Sequence, residues 1–180
     1  MIRTLSVALG IGALLSACAS APPTIPPVAS VDMPRFMGDW YVIAQIPTYI
    51  ERKAFDSVES YRLDADGKIR TTFRYRNGST DAPLKTMEPV GRVVPGTNNA
   101  VWEMQFVWPI QAEYVIVDLA PDYSRTIVGR SKRDYVWLMA RTPSLPAPEL
   151  AAAIEKIRTL GYDTSKQRMV PQAAANAAPP

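Results

Sequence analysis

The strongest constraint on this chain is a rhythm. Between Trp40 and Arg141, short runs alternate large apolar with polar residues, and each run is stopped by a brief turn. Alternation at period two lines one face of a strand with apolar side chains and the other with polar ones. The runs are Trp40–Ile46, Ser57–Leu63, Lys68–Arg76, Leu84–Val94, Ala100–Trp108, Glu113–Leu119, Ser124–Gly129 and Asp134–Arg141. Asp64-Ala65-Asp66-Gly67, Asn77-Gly78 and Pro95-Gly96-Thr97-Asn98-Asn99 supply turn chemistry between them, with Gly67 able to take the positive φ a tight hairpin needs. Evenly spaced strands joined by short turns predict an all-β fold, an eight-stranded antiparallel up-and-down barrel. Pro89 sits inside the fourth run and cannot donate to a ladder, so a bulge or an edge is expected there.

The first run is the one the others wrap around. Gly38 leaves room for close approach, and the indole of Trp40 can fill the end of a cavity. Simple alternation places Trp40, Val42, Ala44 and Ile46 on one face of this strand. After residue 146 the period changes. Leu150, Ile154, Ile157 and Leu160 form one stripe of an amphipathic helix closed by Gly161, expected to pack outside the barrel on the Val136, Leu138 and Ala140 face of the last strand. Residues 172–180 are alanine, proline and glutamine without a period and read as a disordered tail.

Composition excludes several chemistries. The chain has no histidine and one cysteine, which removes His-assisted nucleophilic catalysis, His-ligated zinc and an internal disulfide. No metal ligand set, cofactor motif or catalytic residue is expected, and the chain is read as a binding protein rather than an enzyme. The formal charge of +3 falls by one if the first 17 residues leave with Arg3, and the basic residues are dispersed, so nucleic acid is not an expected partner.

Met1-Ile2-Arg3 followed by the apolar run Leu5 to Leu15 has the form of an export signal, too short to span a membrane. Leu15-Ser16-Ala17-Cys18 resembles the lipobox of bacterial lipoproteins, which implies cleavage of a signal peptide over residues 1–17 and lipid attachment, palmitate among the chains, at Cys18. Several acyl chains anchor a protein stably, one only marginally. Ala19 in place of an aspartate implies, by the same resemblance, the outer membrane with the protein facing the periplasm. Residues 18–31 then read as a lipidated cysteine and a proline-rich extended linker without hydrophobic period, and residues 32–171 as the barrel with its helix.

Three separated motifs resemble those of the lipocalins, most closely the bacterial lipoprotein lipocalins. Gly38-Asp39-Trp40-Tyr41 is similar to the first lipocalin motif, Pro121-Asp122-Tyr123 to the second with proline in place of the usual threonine, and Arg141 to the arginine of the third. The resemblance implies that Arg141 lies over Trp40 and that Gly38, Trp40, Asp122, Tyr123 and Arg141 close one end of the barrel as a structural unit.

It also implies a cavity for an amphipathic lipid, a fatty acid or lysophospholipid, stored or transported in the periplasm. The inward set is expected to include Phe73, Tyr75, Trp102, Met104, Phe106, Tyr114, Tyr135, Trp137 and Met139. Arg74, Arg76 or Arg92 could meet the head group by charge-assisted hydrogen bonds. Two alternatives stay open at this stage: an envelope interaction or structural lipoprotein, and an enzyme on the same fold. Self-association into a homodimer is left open as well.

Overall fold

The computed structural model describes residues 25–107 and 109–173. The segment expected to be a signal peptide, Cys18, Trp108 and residues 174–180 lie outside the described residues.

Ten strands form: β1 (Gly38–Ile46), β2 (Ala54–Leu63), β3 (Lys68–Asn77), β4 (Leu84–Met87), β5 (Val90–Val93), β6 (Val101–Val107), β7 (Ile110–Leu119), β8 (Arg125–Gly129), β9 (Val136–Ala140) and β10 (Arg168–Met169). Eight of them run β1-β2-β3-β5-β6-β7-β8-β9, all neighbours antiparallel, and β9 pairs back onto β1 to close the barrel. The expected fourth strand is split. Pro89 has no N–H to give, so β4 pairs with Phe73–Arg76 of β3 and β5 with Lys68–Arg70, while the Pro89 carbonyl between them accepts from Thr71 N–H at 3.1 Å. Beyond the split, β4 has a ladder with β3 alone.

The up-and-down order gives the barrel two ends. The β1–β2, β3–β4, β6–β7 and β8–β9 connections lie at one end, the mouth; the β2–β3, β5–β6 and β7–β8 connections lie at the other, the floor. A four-residue helix, α1 (Met33–Phe36), covers the floor; the Asp32 carboxylate caps it by accepting from Arg35 N–H, and Pro34 occupies its first turn.

A bulge in β1 corrects the simple alternation of that strand. Val42 is opposite Met139, but the next aligned pair is Ala44 with Leu138, so Ile43 is extra and the facing reverses. Trp40 and Val42 point inward; Ala44 and Ile46 join the outer cluster, and Gln45, opposite the inward Trp137, turns in.

The second helix, α2 (Ala147–Thr159), lies where the sequence puts it, against Val136, Leu138 and Ala140. Its deepest contacts are Ala153 and Ile157, because a methyl lets the helix axis approach the sheet, while Leu150 and Leu160 flank them half-buried. Gly161 follows with φ +88, the left-handed conformation expected past a helix end.

Both termini of the barrel differ from expectation. Residues 25–31 are not a free spacer: Ile25 is buried, Val28 and Val31 pack on the interior cluster, and the Val28 and Val31 N–H groups donate to Ile116 and Asn98 carbonyls at 2.9 and 3.0 Å. While these two valines join the interior cluster, Ile25 packs in the outer one beside Tyr162. At the other end Gln172 is buried, donating to the Val42 carbonyl at 2.8 Å and the Ser57 carbonyl at 3.2 Å, and so belongs to the barrel rather than to a tail.

Candidate functional site

The floor is built first. Gly38 has φ +94, a conformation that favours glycine, and a β-carbon there would just touch the Arg141 guanidinium at 3.4 Å. The Arg141 guanidinium carbon lies 3.8 Å from the Trp40 ring centre. Its nitrogens donate to the Asp39 carbonyl at 2.7 Å and to the carbonyls of Arg35, Phe36 and Met37 at 2.8, 3.0 and 2.9 Å. These are the carbonyls α1 leaves free at its C-terminal end, and a guanidinium suits both them and the indole face. The Trp40 Nε1–H donates to the Phe36 carbonyl at 2.8 Å. Tyr123, at φ +64, accepts the Asp32 N–H on its hydroxyl at 2.8 Å and carries the Arg35 guanidinium over its ring at 4.0 Å. Asp122 fixes the same turn, accepting from the Ser124 N–H and hydroxyl, bonds that hold its carboxyl below the usual range. The five residues named from the motifs thus meet at one end.

Above the floor an aromatic column climbs one wall. Phe36 packs edge-on to Trp102 at 5.3 Å, Trp102 stacks on Tyr114 at 4.8 Å, and Tyr114 leads to Trp137 at 6.3 Å and then Tyr135 at 4.9 Å from Trp137. Met104 and Met139 are buried in the same cluster. Phe73 and Tyr75 stack at 4.9 Å on the other wall and, with Ala54 and Met87, form a cluster of their own. A solid core would merge these into one contact network. The lower half is filled by Phe36, Trp40, Tyr61 and Trp102; the Phe73–Tyr75 pair forms a cluster separate from the aromatic column.

Two carboxyls are buried in the interior, Glu59 low in the barrel and Glu51 near the mouth. Glu59 faces inward beside Trp40 and Phe73, its cross-strand neighbours. Burial, and secondarily the charge of Glu51, pushes its pKa up to about 8. Its partner is the Tyr61 hydroxyl, which is also 2.7 Å from the Tyr114 hydroxyl. Burial, then the Glu59 charge, raises the Tyr114 phenol as well. Glu51 comes from the β1–β2 loop and turns into the mouth. It accepts from Trp137 Nε1 at 2.8 Å, from the Thr48 hydroxyl at 2.5 Å and from the Thr48 N–H at 3.1 Å; burial still outweighs these bonds and raises its pKa. Gln45 donates to the Glu51 carbonyl at 3.2 Å, while its own side-chain oxygen is buried without a partner.

At the rim, Tyr49, Ile50, Arg52, Lys53, Tyr75, Asn77 and Lys85 line a cleft of about 480 Å³. Tyr75 belongs to both this cleft and the interior wall. Lys85 is its cross-strand partner and shares its inward face, so an ammonium stands at the entrance.

The sequence-derived lining is therefore largely brought together: Phe73, Tyr75, Met104, Tyr114, Tyr135 and Trp137 all face the interior. Three residues are placed elsewhere. Phe106 falls at a bulge in β6 between Gln105 and Val107 and is 40 % exposed on the rim. Arg74 and Arg76 alternate with Phe73 and Tyr75 and so lie on the outer face. Arg74 meets Asp39 at 3.3 Å and Ser60 at 3.1 Å; Arg76 meets Asp56 at 3.3 Å and the Ala82 carbonyl at 2.5 Å. The period-two facing of β3 already turns both away from the interior. The interior residues missed were Gln45, Glu51, Glu59 and Tyr61: the pairing of β2 with the inward Trp40 reveals Glu59 and Tyr61, the β1 bulge turns Gln45 in, and Glu51 reaches in from a loop.

A closed eight-stranded barrel with a plugged floor, an aromatic interior and a cleft at its mouth has the architecture of barrels that can hold one small ligand. The chain belongs to the lipocalin family: the lipocalin-like domain matches residues 31–172. It is 28 % identical over 162 residues to the outer membrane lipoprotein Blc of Vibrio cholerae, covering 88 % of this chain and 93 % of that one. It is 26 % identical over 157 residues to temperature-induced lipocalin-1 of Arabidopsis thaliana, covering 81 % of each. Insecticyanin from the tobacco hornworm Manduca sexta shares the fold with a TM-score of 0.66 at 19 % identity, over 86 % of this chain and 88 % of that one.

Proposed function

We propose that this protein is a lipid-binding lipocalin tethered to the outer membrane through Cys18, facing the periplasm, that stores or carries a fatty acid or lysophospholipid. The observation that carries the reading is the continuity through Tyr75, which joins a cationic cleft at the rim to the apolar wall inside. An acyl chain enters between Phe73–Tyr75 and the Tyr114–Trp137–Tyr135 column and stops above Trp102. Its anionic head group meets Lys85, with Lys53 and Arg52 beside it, in charge-assisted hydrogen bonds. This role replaces the one expected for Arg74 and Arg76. The lipobox at Leu15–Cys18 and the name of the Vibrio cholerae relative both support the tether and the outer membrane.

Titration of delipidated protein with oleate or with lysophosphatidylglycerol, followed by tryptophan fluorescence, tests the reading. Saturable quenching at one ligand per chain is expected, lost in Phe73→Asp. Absence of uptake of either lipid contradicts it.

A further inference from the structure

Apolar surface is concentrated at one end of this molecule. Among the described residues, the exposed large hydrophobic side chains are Tyr49, Ile50, Leu63, Leu84, Phe106, Ile110 and Met169. Tyr49 and Ile50 lie in the β1–β2 loop, Leu84 opens β4, and Phe106 and Ile110 flank the β6–β7 turn: all five stand on the mouth rim. Leu63 alone sits at the floor end. The exposures reach 81 % for Tyr49 and 68 % for Ile110, and five such side chains share one rim rather than being scattered singly.

Charge balance also differs between the ends, although Arg35 and Arg92 at the floor form no ion pair among the described residues and Asp81 is exposed at the mouth. At the floor end Arg62 and Arg70 both meet Asp64, and Lys68 meets Asp66. At the mouth Arg52, Lys53, Lys85 and Lys132 are exposed, and none forms an ion pair among the described residues. Apolar side chains interleaved with unneutralised cations fit an anionic lipid surface, where the apolar groups enter the head-group boundary and the cations meet phosphates. A second copy of the chain fits poorly, since two cationic rims would face each other.

The exit of the chain agrees. Ile25 N–H donates to the Ser131 hydroxyl at 3.5 Å, in the β8–β9 turn at the mouth. Residues 18 to 25 can span at most about 25 Å, so an anchor on Cys18 holds this end near the membrane.

We infer that the mouth rim is a docking surface for an anionic phospholipid bilayer, and that the barrel sits mouth-down on the membrane that tethers it. Lipid then passes between bilayer and interior without crossing bulk water. The docking stands on the rim alone and does not need an interior ligand.

Every contact described lies within residues 25–173, so an unlipidated chain starting at residue 19 keeps them all and removes the anchor from the measurement. Its co-sedimentation with vesicles of phosphatidylglycerol and phosphatidylethanolamine is expected, weakening with added salt. Leu84→Ser/Ile110→Ser, which leaves the cleft and the interior untouched, should lower the vesicle partition at least about tenfold, while Leu63→Ser at the floor end leaves it unchanged. Uptake of monomeric lysophosphatidylglycerol by the double variant should stay within about twofold of wild type, by the same energetics. Wild type that ignores the vesicles, a double variant that binds them equally well, or a dimer that buries Ile110 and excludes vesicles overturns the docking. Vesicle binding without lysophospholipid uptake upholds the docking and sinks only the carrier reading.

Discussion

The two ends of this barrel solve opposite problems with the same residue types. At the floor an arginine donates to four carbonyls and covers an indole, a tyrosine ring carries a second arginine, and Arg62, Lys68 and Arg70 are neutralised by aspartates. Nearly every polar group has a partner. At the mouth, the Glu51 carboxyl is buried against its preference, a glutamine oxygen has no partner, and cations and apolar side chains face outward. Satisfied groups contribute stability, while unsatisfied ones mark where something else is to be bound. The floor holds the fold together, and the mouth is held ready by it.

The largest expected effect lies at the floor. Trp40→Ala removes a fully buried indole and should cost about 3–5 kcal/mol, seen as a lower urea midpoint, while the fraction still folded takes up lysophospholipid normally. Unchanged melting with lost binding would reverse the assignment of roles. Next comes the buried acid. Glu59 binds its proton more tightly folded, with a pKa of about 8, than unfolded, near 4.5. Below pH 4.5 both states are protonated and the group costs nothing; as pH rises through that interval the penalty grows, reaching several kcal/mol at about 1.4 kcal/mol per unit. Stability of the wild type should therefore decline from pH 5 to 8, and Glu59→Gln should flatten that slope in denaturant titrations. A third test sits at the entrance. Lys85→Ala should weaken lysophosphatidylglycerol binding about tenfold, the loss of one charge-assisted bond, with melting unchanged. The smallest effect is expected on the outer wall: Arg74 pairs with Asp39 in a solvated setting, so Arg74→Ala should change stability by less than about 1 kcal/mol and affinity not at all. A tenfold loss of affinity there would restore the head-group role to the outer arginines.

Much of the architecture was legible because the barrel obeys period two. Alternation gave the strands, the change of period gave α2, and the resemblance of the motifs at Trp40 and Arg141 to those of the lipocalins gave the floor. The interior was less legible for reasons visible in single residues. Ser57, Glu59 and Tyr61 are the inward residues of β2, so hydrophobicity runs opposite to facing there. The bulge at Ile43 turns Gln45 inward and Ala44 outward, and the one in β6 leaves Phe106 on the rim. Glu51 reaches the interior from a loop, where no period applies. Gln172 lies in a stretch with tail-like composition, yet two carbonyls of distant strands hold it.

The central claim is that the half of the barrel nearest the mouth receives an acyl chain while the floor half is already full. A fatty acid brominated along its chain measures this directly when titrated into a Trp108→Phe protein, whose indoles are then Trp40, Trp102 and Trp137. Saturation at one ligand per chain, with the quenching reduced by Trp137→Phe and Trp40 still emitting, is the predicted result. Quenching that is undiminished by Trp137→Phe and falls on Trp40, or no quenching, would contradict it.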